Sequence, residues 1–157
     1  MSVITHKQAR SRLGQMMNKP GGVSVGVALA QAKANLAPLE DQARTIIADN
    51  IAALLAPTPA DMIEPMRLDM AYSASSQIID AASPFEMDDL CKAAKGLCDL
   101  LDAAPRQGGF DWRIATVHAQ AMKVLLSLPS TEAEARTAII ANLHEVLKRK
   151  LPGQPQG

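Results

Sequence analysis

The sequence predicts an all-α fold, an up-down helical bundle of about four to five helices. Hydrophobic residues make up 48% of the chain but aromatic residues only 3%. Such a composition favours helices, because strands prefer β-branched and aromatic side chains. Proline and glycine clusters divide the chain into segments of helical length, and apolar residues recur within them at three- and four-residue steps. Short connections predict that sequential helices pack antiparallel.

The length of 157 residues is that of a single domain. We predict an N-terminal arm over residues 1–23, a helical bundle over 24–151 and a flexible tail over 152–157. The arm ends in a strong chain breaker, Pro20-Gly21-Gly22. Pro152 opens the tail, because a proline there prevents the last helix from continuing.

The charge balance indicates a protein that does not bind nucleic acid. Sixteen basic and sixteen acidic residues cancel, whereas binding to phosphates requires a positive excess. Basic residues dominate only in the arm, which we interpret as solvated, with contact to a membrane surface or an acidic partner as the alternative. No apolar run approaches the roughly 20 residues of a membrane span, and the N-terminus lacks the apolar core of a secretory signal. We therefore expect a cytoplasmic protein.

The first helix is predicted over residues 24–56, with Ser24 as its N-cap. Pro38 lies in its interior and removes a backbone donor, so a kink and a division into two helices both remain open. The second helix is predicted from Thr58 to about residue 82, because Thr58 is a good N-cap and is followed by proline. Pro65 is expected to disturb its first turns.

Capping sequences mark the predicted starts of the third and fifth helices. Ser83-Pro84-Phe85-Glu86 combines an N-cap serine, a proline and a capping-box glutamate, and predicts a third helix over 84–104. A fourth helix is predicted from about Asp111 to Pro129. Thr131-Glu132-Ala133-Glu134 opens the fifth, which closes with the cations Lys148-Arg149-Lys150 at the negative end of the helix dipole.

Each of these three helices carries an apolar stripe that we predict to face the core. On the third helix the stripe consists of Met87, Leu90, Cys91, Ala94, Leu97, Cys98 and Leu101. On the fourth it consists of Ile114, Val117, Ala121, Val124, Leu125 and Leu128. On the fifth it consists of Ala135, Ala138, Ile139, Leu143, Val146 and Leu147. Cys91 and Cys98 lie about 10 Å apart along one helix, too far to bridge, and are expected to be buried thiols.

The second helix carries apolar residues on both of its sides. The side predicted to face the core consists of Ile63, Met66, Met70, Ala74, Gln77, Ile78 and Ala81. The predicted outward side consists of Leu68, Tyr72, Ser75, Ser76 and Ile79. A clustered outward set of this kind predicts a partner-binding surface. In the alternative, the first helix covers this side and Tyr72 lies in the core with its hydroxyl satisfied internally.

No catalytic motif is present in the sequence. We find no phosphate-binding glycine loop, no HExxH, no GxSxG and no dinucleotide fingerprint. We therefore expect no enzymatic activity, no cofactor and no metal. His118 lies at the edge of the apolar stripe of the fourth helix, where a structural, hydrogen-bonded histidine is the favoured interpretation.

The stretch around Tyr72 resembles the acceptor helix of histidine-containing phosphotransfer (HPt) domains. In that family an Ala-His pair is followed by Lys three residues later and a small residue at four. Here Ala71 precedes Tyr72, Ser75 stands at the lysine position and Ser76 at the small one. The next helix contains the similar stretch Leu97-Cys98-Asp99-Leu100-Leu101. The resemblance implies a phosphotransfer-like bundle without the acceptor histidine; an active phosphotransfer protein that uses His118 as its acceptor is the alternative.

The chain as a whole also resembles the small alphaproteobacterial proteins of the chemotaxis protein CheE family. The residues that carry this resemblance are Pro20-Gly21-Gly22-Val23-Ser24-Val25, Ala30-Gln31-Ala32-Lys33-Ala34-Asn35-Leu36, Gly96-Leu97-Cys98-Asp99-Leu100-Leu101 and Val117-His118-Ala119-Gln120-Ala121. Together the two resemblances imply a bacterial adaptor in chemotaxis or two-component signalling. Its expected partner is a receiver domain or a histidine kinase. A self-associating helical protein, such as a homodimer, is the alternative.

Overall fold

The computed structural model of the protein describes residues 22–105 and 109–150. These ranges contain five α-helices and one 3-10 turn, and no strand. The helices are α1 (Val25–Leu55), α2 (Glu64–Ala82), α3 (Asp88–Asp102), α4 (Trp112–Ser127) and α5 (Ala133–Lys150), with the 3-10 turn at Ser83–Phe85. The prediction of an all-α bundle is confirmed. The predicted tail, 152–157, and all but the last two residues of the predicted arm lie outside the described residues.

The contacts of the chain divide it into two units, Met1–Pro38 and Leu39–Gly157. The described part of the first unit is the beginning of α1, and every described residue in it is exposed. The second unit contains the rest of α1 and the other four helices.

The predicted start of α1 is confirmed, whereas that of α2 is wrong. The Ser24 hydroxyl oxygen accepts a hydrogen bond from the Val27 amide at 3.3 Å. Pro38 lies inside the continuous helix α1 and does not divide it into two helices. Helix α2 begins at Glu64 and not at Thr58, with Pro65 in its first turn. Proline is tolerated there because the first amides of a helix have no intrahelical acceptor.

The capping box predicted for α3 is also wrong. Ser83 continues the backbone of α2 as a 3-10 turn, and Glu86 adopts a left-handed conformation with φ 58°. A left-handed residue interrupts a right-handed helix, so α3 begins only at Asp88. Helix α4 begins next to Asp111, as predicted, and the Asp111 carboxylate accepts a hydrogen bond from the Arg113 amide at 3.2 Å.

Helices α2 and α3 run in opposite directions, as their short connection predicts. Cys91 of α3 lies beside Ile79 near the end of α2, whereas Leu101 shares a groove with Leu68 near its start. These two helices are therefore antiparallel. Helix α3 packs against α2, α4 and α5 and is the most enclosed helix of the bundle.

The core confirms the stripe predicted for α3 more fully than those of the other helices. On α3 the buried residues are Leu90, Ala93, Ala94, Gly96, Leu97, Cys98, Leu100 and Leu101. On α4 they are Ile114, Ala115, His118, Ala119, Met122 and Leu125. Val117 and Val124 were predicted to be buried but are exposed. The stripe of α4 is rotated because small alanines and a histidine, rather than valines, meet the neighbouring helices.

Helix α5 and the two cysteines also depart in part from prediction. Leu143 is the one residue of α5 that is fully buried, and Ala135 and Ala138 are exposed. Cys98 is buried as predicted, but Cys91 is half-buried, and neither forms a disulfide. Burial is the main reason that the pKa of each thiol is raised, which makes both thiols poor nucleophiles.

Candidate functional site

Helix α2 presents a different face to the core from the one that its apolar residues predict. Its buried residues are Leu68, Ala71, Ala74, Ser75, Ile78 and Ala82. The expected outward position of Leu68 and Ser75 is therefore wrong. Met66 and Met70, which were expected to face inward, are exposed. Small alanine and serine side chains on the buried face allow close packing against α3.

Ser75 occupies the position at which the HPt resemblance places a lysine. It is 0% exposed, and its hydroxyl donates to the Ala71 carbonyl at 2.8 Å. It also faces the Cys98 thiol, where its hydrogen bond lowers the thiol pKa against the larger rise from burial. Ser75 is thus a core residue that a partner does not reach in the folded protein.

Tyr72, by contrast, is 46% exposed in the middle of α2. It lines an open groove of about 460 Å³ between α2 and the end of α3. The groove is lined by Leu68, Asp69, Tyr72, Ser73, Ser76, Gln77, Leu101 and Asp102. Buried leucines form its apolar floor, and polar side chains form its rim. The alternative in which Tyr72 lies in the core is therefore wrong.

Of the two remaining members of the predicted surface, only Ser76 lines this groove. Ser76 is half-buried and lines it, whereas Ile79 is half-buried, packs against the core and is not part of the lining. Ser73 and Gln77 were not predicted; the Gln77 amide donates to the Ser73 hydroxyl at 3.1 Å. We call Tyr72, Ser73, Ser76 and Gln77 the Tyr72 surface. Its aromatic ring and hydrogen-bonding groups suit non-covalent contact with a partner.

His118 is fully buried between α4 and α3. Its Nδ1 lies 2.9 Å from the Ile114 carbonyl oxygen, so Nδ1 carries the proton and donates it. Its Nε2 faces Gly96 and has no hydrogen-bond partner in the described part of the chain. Burial lowers the pKa of His118, with the hydrogen bond to Ile114 opposing it. The interpretation as a hydrogen-bonded histidine is confirmed, and its burial disfavours a role as phosphoacceptor.

A second polar arrangement, missed by the sequence analysis, surrounds the single tryptophan. The guanidinium carbon of Arg67 lies 3.6 Å from the ring centroid of Trp112. The Trp112 indole N–H donates to the Glu64 carboxylate at 3.0 Å. Phe110 packs edge-on against the same ring, with centroids 5.0 Å apart. A lone tryptophan next to a helix N-cap was the available signal, but its partners lie about 48 residues away in sequence.

Comparisons of this chain with protein-family models, with curated proteins and with solved structures found no match. Within residues 22–105 and 109–150, no helix is long and apolar enough to cross a membrane. The same ranges contain no group of three or more histidine, cysteine, aspartate or glutamate residues arranged to hold a metal ion.

Proposed function

We propose that this protein is a non-catalytic HPt-like adaptor that docks a receiver domain or a histidine kinase in a two-component or chemotaxis pathway. The observation that carries the proposal is the exposed Tyr72, in the middle of a bundle helix, beside an open groove. Tyrosine is a favoured anchor at protein interfaces because it combines a large apolar ring with a hydrogen-bonding tip.

The chemistry of the same region supports docking without phosphotransfer. A phenol is a much weaker nucleophile at neutral pH than the imidazole of an HPt domain. The lysine that would neutralise phosphate charge is replaced by Ser75, which is buried. The proposed docking site is the Tyr72 surface, with Leu68 as part of the groove floor rather than as an exposed contact.

The test compares two substitutions on α2. Tyr72→Asp removes the aromatic anchor, whereas Met66→Asp places the same charge on an exposed residue, 53% accessible, outside the groove. Binding is measured by biolayer interferometry against purified receiver domains and histidine kinases of the source organism. Each receiver is tested with and without beryllofluoride, which mimics its phosphorylated aspartate.

We expect Tyr72→Asp to weaken binding by at least about thirtyfold, as for a hot-spot residue. Met66→Asp is expected to change affinity by less than about threefold, because rim or remote positions contribute little. Circular dichroism melts establish that both variants are folded. Equal affinities for the two variants, or no binding of the wild type to any receiver or kinase, would refute the proposal.

Self-association through the first part of α1 is a second candidate, supported by a separate observation. Val25, Val27, Leu29 and Leu36 are all exposed there, and Lys33 is the one charged residue in the sequence from 22 to 38. Leu29 and Leu36 are separated by seven residues, the repeat of helices that pair along an apolar seam. Exposed apolar clusters of this kind mark interaction surfaces.

The self-association candidate is tested by light scattering after size-exclusion chromatography over a range of concentrations. A dimer that Leu29→Glu converts to a monomer would support it. A wild-type protein that stays monomeric at the highest concentration rejects it. Gln31→Glu, which adds the same charge two residues after Leu29 and therefore on the opposite side of the helix, is the matched control.

A further inference from the structure

A second pocket lies on a different side of α2 from the Tyr72 groove, and the proposed docking function does not use it. Its volume is about 320 Å³, and it is formed by the end of α1, the following turn, α2 and Trp112. It is lined by Ala53, Leu54, Ala56, Pro57, Thr58, Pro59, Met62, Arg67, Met70, Ala71, Ala74 and Trp112. Nearly all of these side chains are apolar, so the space favours a hydrocarbon group.

Arg67 is the only charged residue in this lining. Its guanidinium stacks on the Trp112 ring at 3.6 Å, which leaves its N–H groups pointing outward in the guanidinium plane. Among the described residues, no carboxylate forms an ion pair or hydrogen bond with Arg67. Glu64, one turn earlier on α2, is instead held by the Trp112 indole N–H at 3.0 Å.

The stacking on Trp112 therefore holds a cation beside an apolar pocket with its donors available. A guanidinium presents paired N–H groups that match the two oxygens of a carboxylate. A single arginine balances a single negative charge. The pocket volume, about 320 Å³, falls at the lower end of the range for small-molecule sites, which is roughly 300–1,000 Å³.

We propose that this pocket binds a small amphipathic carboxylate, with its hydrocarbon chain between α1 and α2 and its carboxylate on Arg67. The walls formed by Met62 and Met70 suit such a chain, because methionine side chains are flexible and polarisable and adapt to irregular apolar groups. This site is separate from the Tyr72 surface, so a failure of either proposal leaves the other standing.

The single tryptophan of the chain makes the test direct, because Trp112 reports on this pocket alone. Intrinsic fluorescence of the full-length protein is titrated with decanoate, and with decanol as the uncharged probe of equal chain length. We expect a saturable change with decanoate at a Kd at least about tenfold below that of decanol, which is the worth of a charge-assisted hydrogen bond.

Substitutions then separate the cation from the apolar pocket. Arg67→Gln is expected to raise the Kd for decanoate by about tenfold or more and to leave that for decanol unchanged. Arg67→Lys keeps the charge but loses the paired donors. Its Kd for decanoate is expected to lie between that of the wild type and that of Arg67→Gln. Arg149→Gln removes an exposed arginine of α5 and is the matched control, with no expected effect. Because Arg67 contacts the fluorophore, isothermal calorimetry repeats each measurement.

Three results would overturn the proposal. The first is no saturable response to decanoate below its micelle concentration. The second is equal affinity of the wild type and a folded Arg67→Gln variant for decanoate. The third is tighter binding of decyl phosphate than of decanoate, which would assign the site to a phosphate headgroup instead.

Discussion

Helices α2 and α3 are antiparallel neighbours of similar apolar content, yet the sequence predicts the buried face of α3 well and that of α2 only in part, at Ala74 and Ile78. On α3 the side away from the core carries Lys92, Lys95 and Asp99, all in ion pairs on its surface or at its edge. On α2 the side away from the core carries exposed Ile63, Met66 and Met70. Periodicity identifies a buried face only where the opposite face is polar.

The two helices also differ in how many neighbours cover them. Helix α3 packs against three other helices, and Gly96 leaves room for Leu147, whose Cδ1 would lie 2.9 Å from an added Cβ. Helix α2 borders two open concavities, the Tyr72 groove and the Trp112 pocket. Some apolar residues of the less enclosed helix thus lie at open concavities and not in the core.

The largest expected effect tests which face of α2 is buried. Leu68→Ala is expected to lower the free energy of unfolding by about 3 kcal/mol, because it creates a cavity in the core. Met66→Ala, two residues away and exposed, is expected to cost less than about 0.5 kcal/mol. Urea denaturation measures both. Similar costs for the two variants would show that the comparison between α2 and α3 is mistaken.

A second prediction concerns the junction between α3, α4 and α5. Arg136 of α5 pairs with Asp89 of α3 at 3.0 Å and donates to the carbonyls of Leu125 and Leu128 at 2.9 Å each. Its side chain is only 15% exposed. Arg136→Met is expected to cost about 2 kcal/mol, because it leaves the last carbonyls of α4 and a partly buried carboxylate without these donors.

The control for Arg136 is an exposed pair on α3. The Lys95 Nζ lies 3.1 Å from the Asp99 Oδ2, but the Lys95 side chain is 72% exposed. Lys95→Met is therefore expected to cost less than about 0.5 kcal/mol, since solvent screens such pairs. If chemical denaturation gives the Arg136→Met and Lys95→Met variants the same free energy of unfolding, the hydrogen bonds of Arg136 do not stabilise this junction.

The third prediction is a pH dependence that arises where α4 meets α3. The pKa of His118 in the folded protein is lowered from 6.5. Just below pH 6.5 the His118 imidazole is therefore protonated in the unfolded chain and neutral in the folded protein. Stability from this group is fully present above pH 6.5 and is lost as the pH falls below it, by up to about 1.4 kcal/mol per pH unit. Urea denaturation at pH 7.5, 6.5 and 5.5 measures the slope.

His118→Gln is expected to flatten this pH dependence, because glutamine does not titrate. His144→Gln removes an exposed histidine of α5 and is expected to leave the slope unchanged. An unaltered slope in a folded His118→Gln variant would mean that Nε2 is hydrated or otherwise able to accept a proton in the native protein.

The capping residues show which helix starts can be predicted from the local sequence. Ser24 caps its helix as predicted, and the fourth helix begins next to Asp111 as predicted, because a side chain and an amide a few residues away suffice to make the capping bond. Thr58 and Ser83 have equally suitable side chains but start no helix. There α2 and α3 begin only after the extended backbone at Ile63 and the left-handed backbone at Glu86.

The sequence by itself determined the all-α class, the approximate positions of the described helices along the chain and the buried face of α3, because these depend on propensity and on periodicity against a polar opposite face. Only the tertiary structure decided that Ser75 and His118 are buried while Tyr72 is exposed. The contact between Arg67 and Trp112 likewise depends on the tertiary structure. Those outcomes depend on which helices pack together, and packing between distant segments leaves no periodic signal in either one.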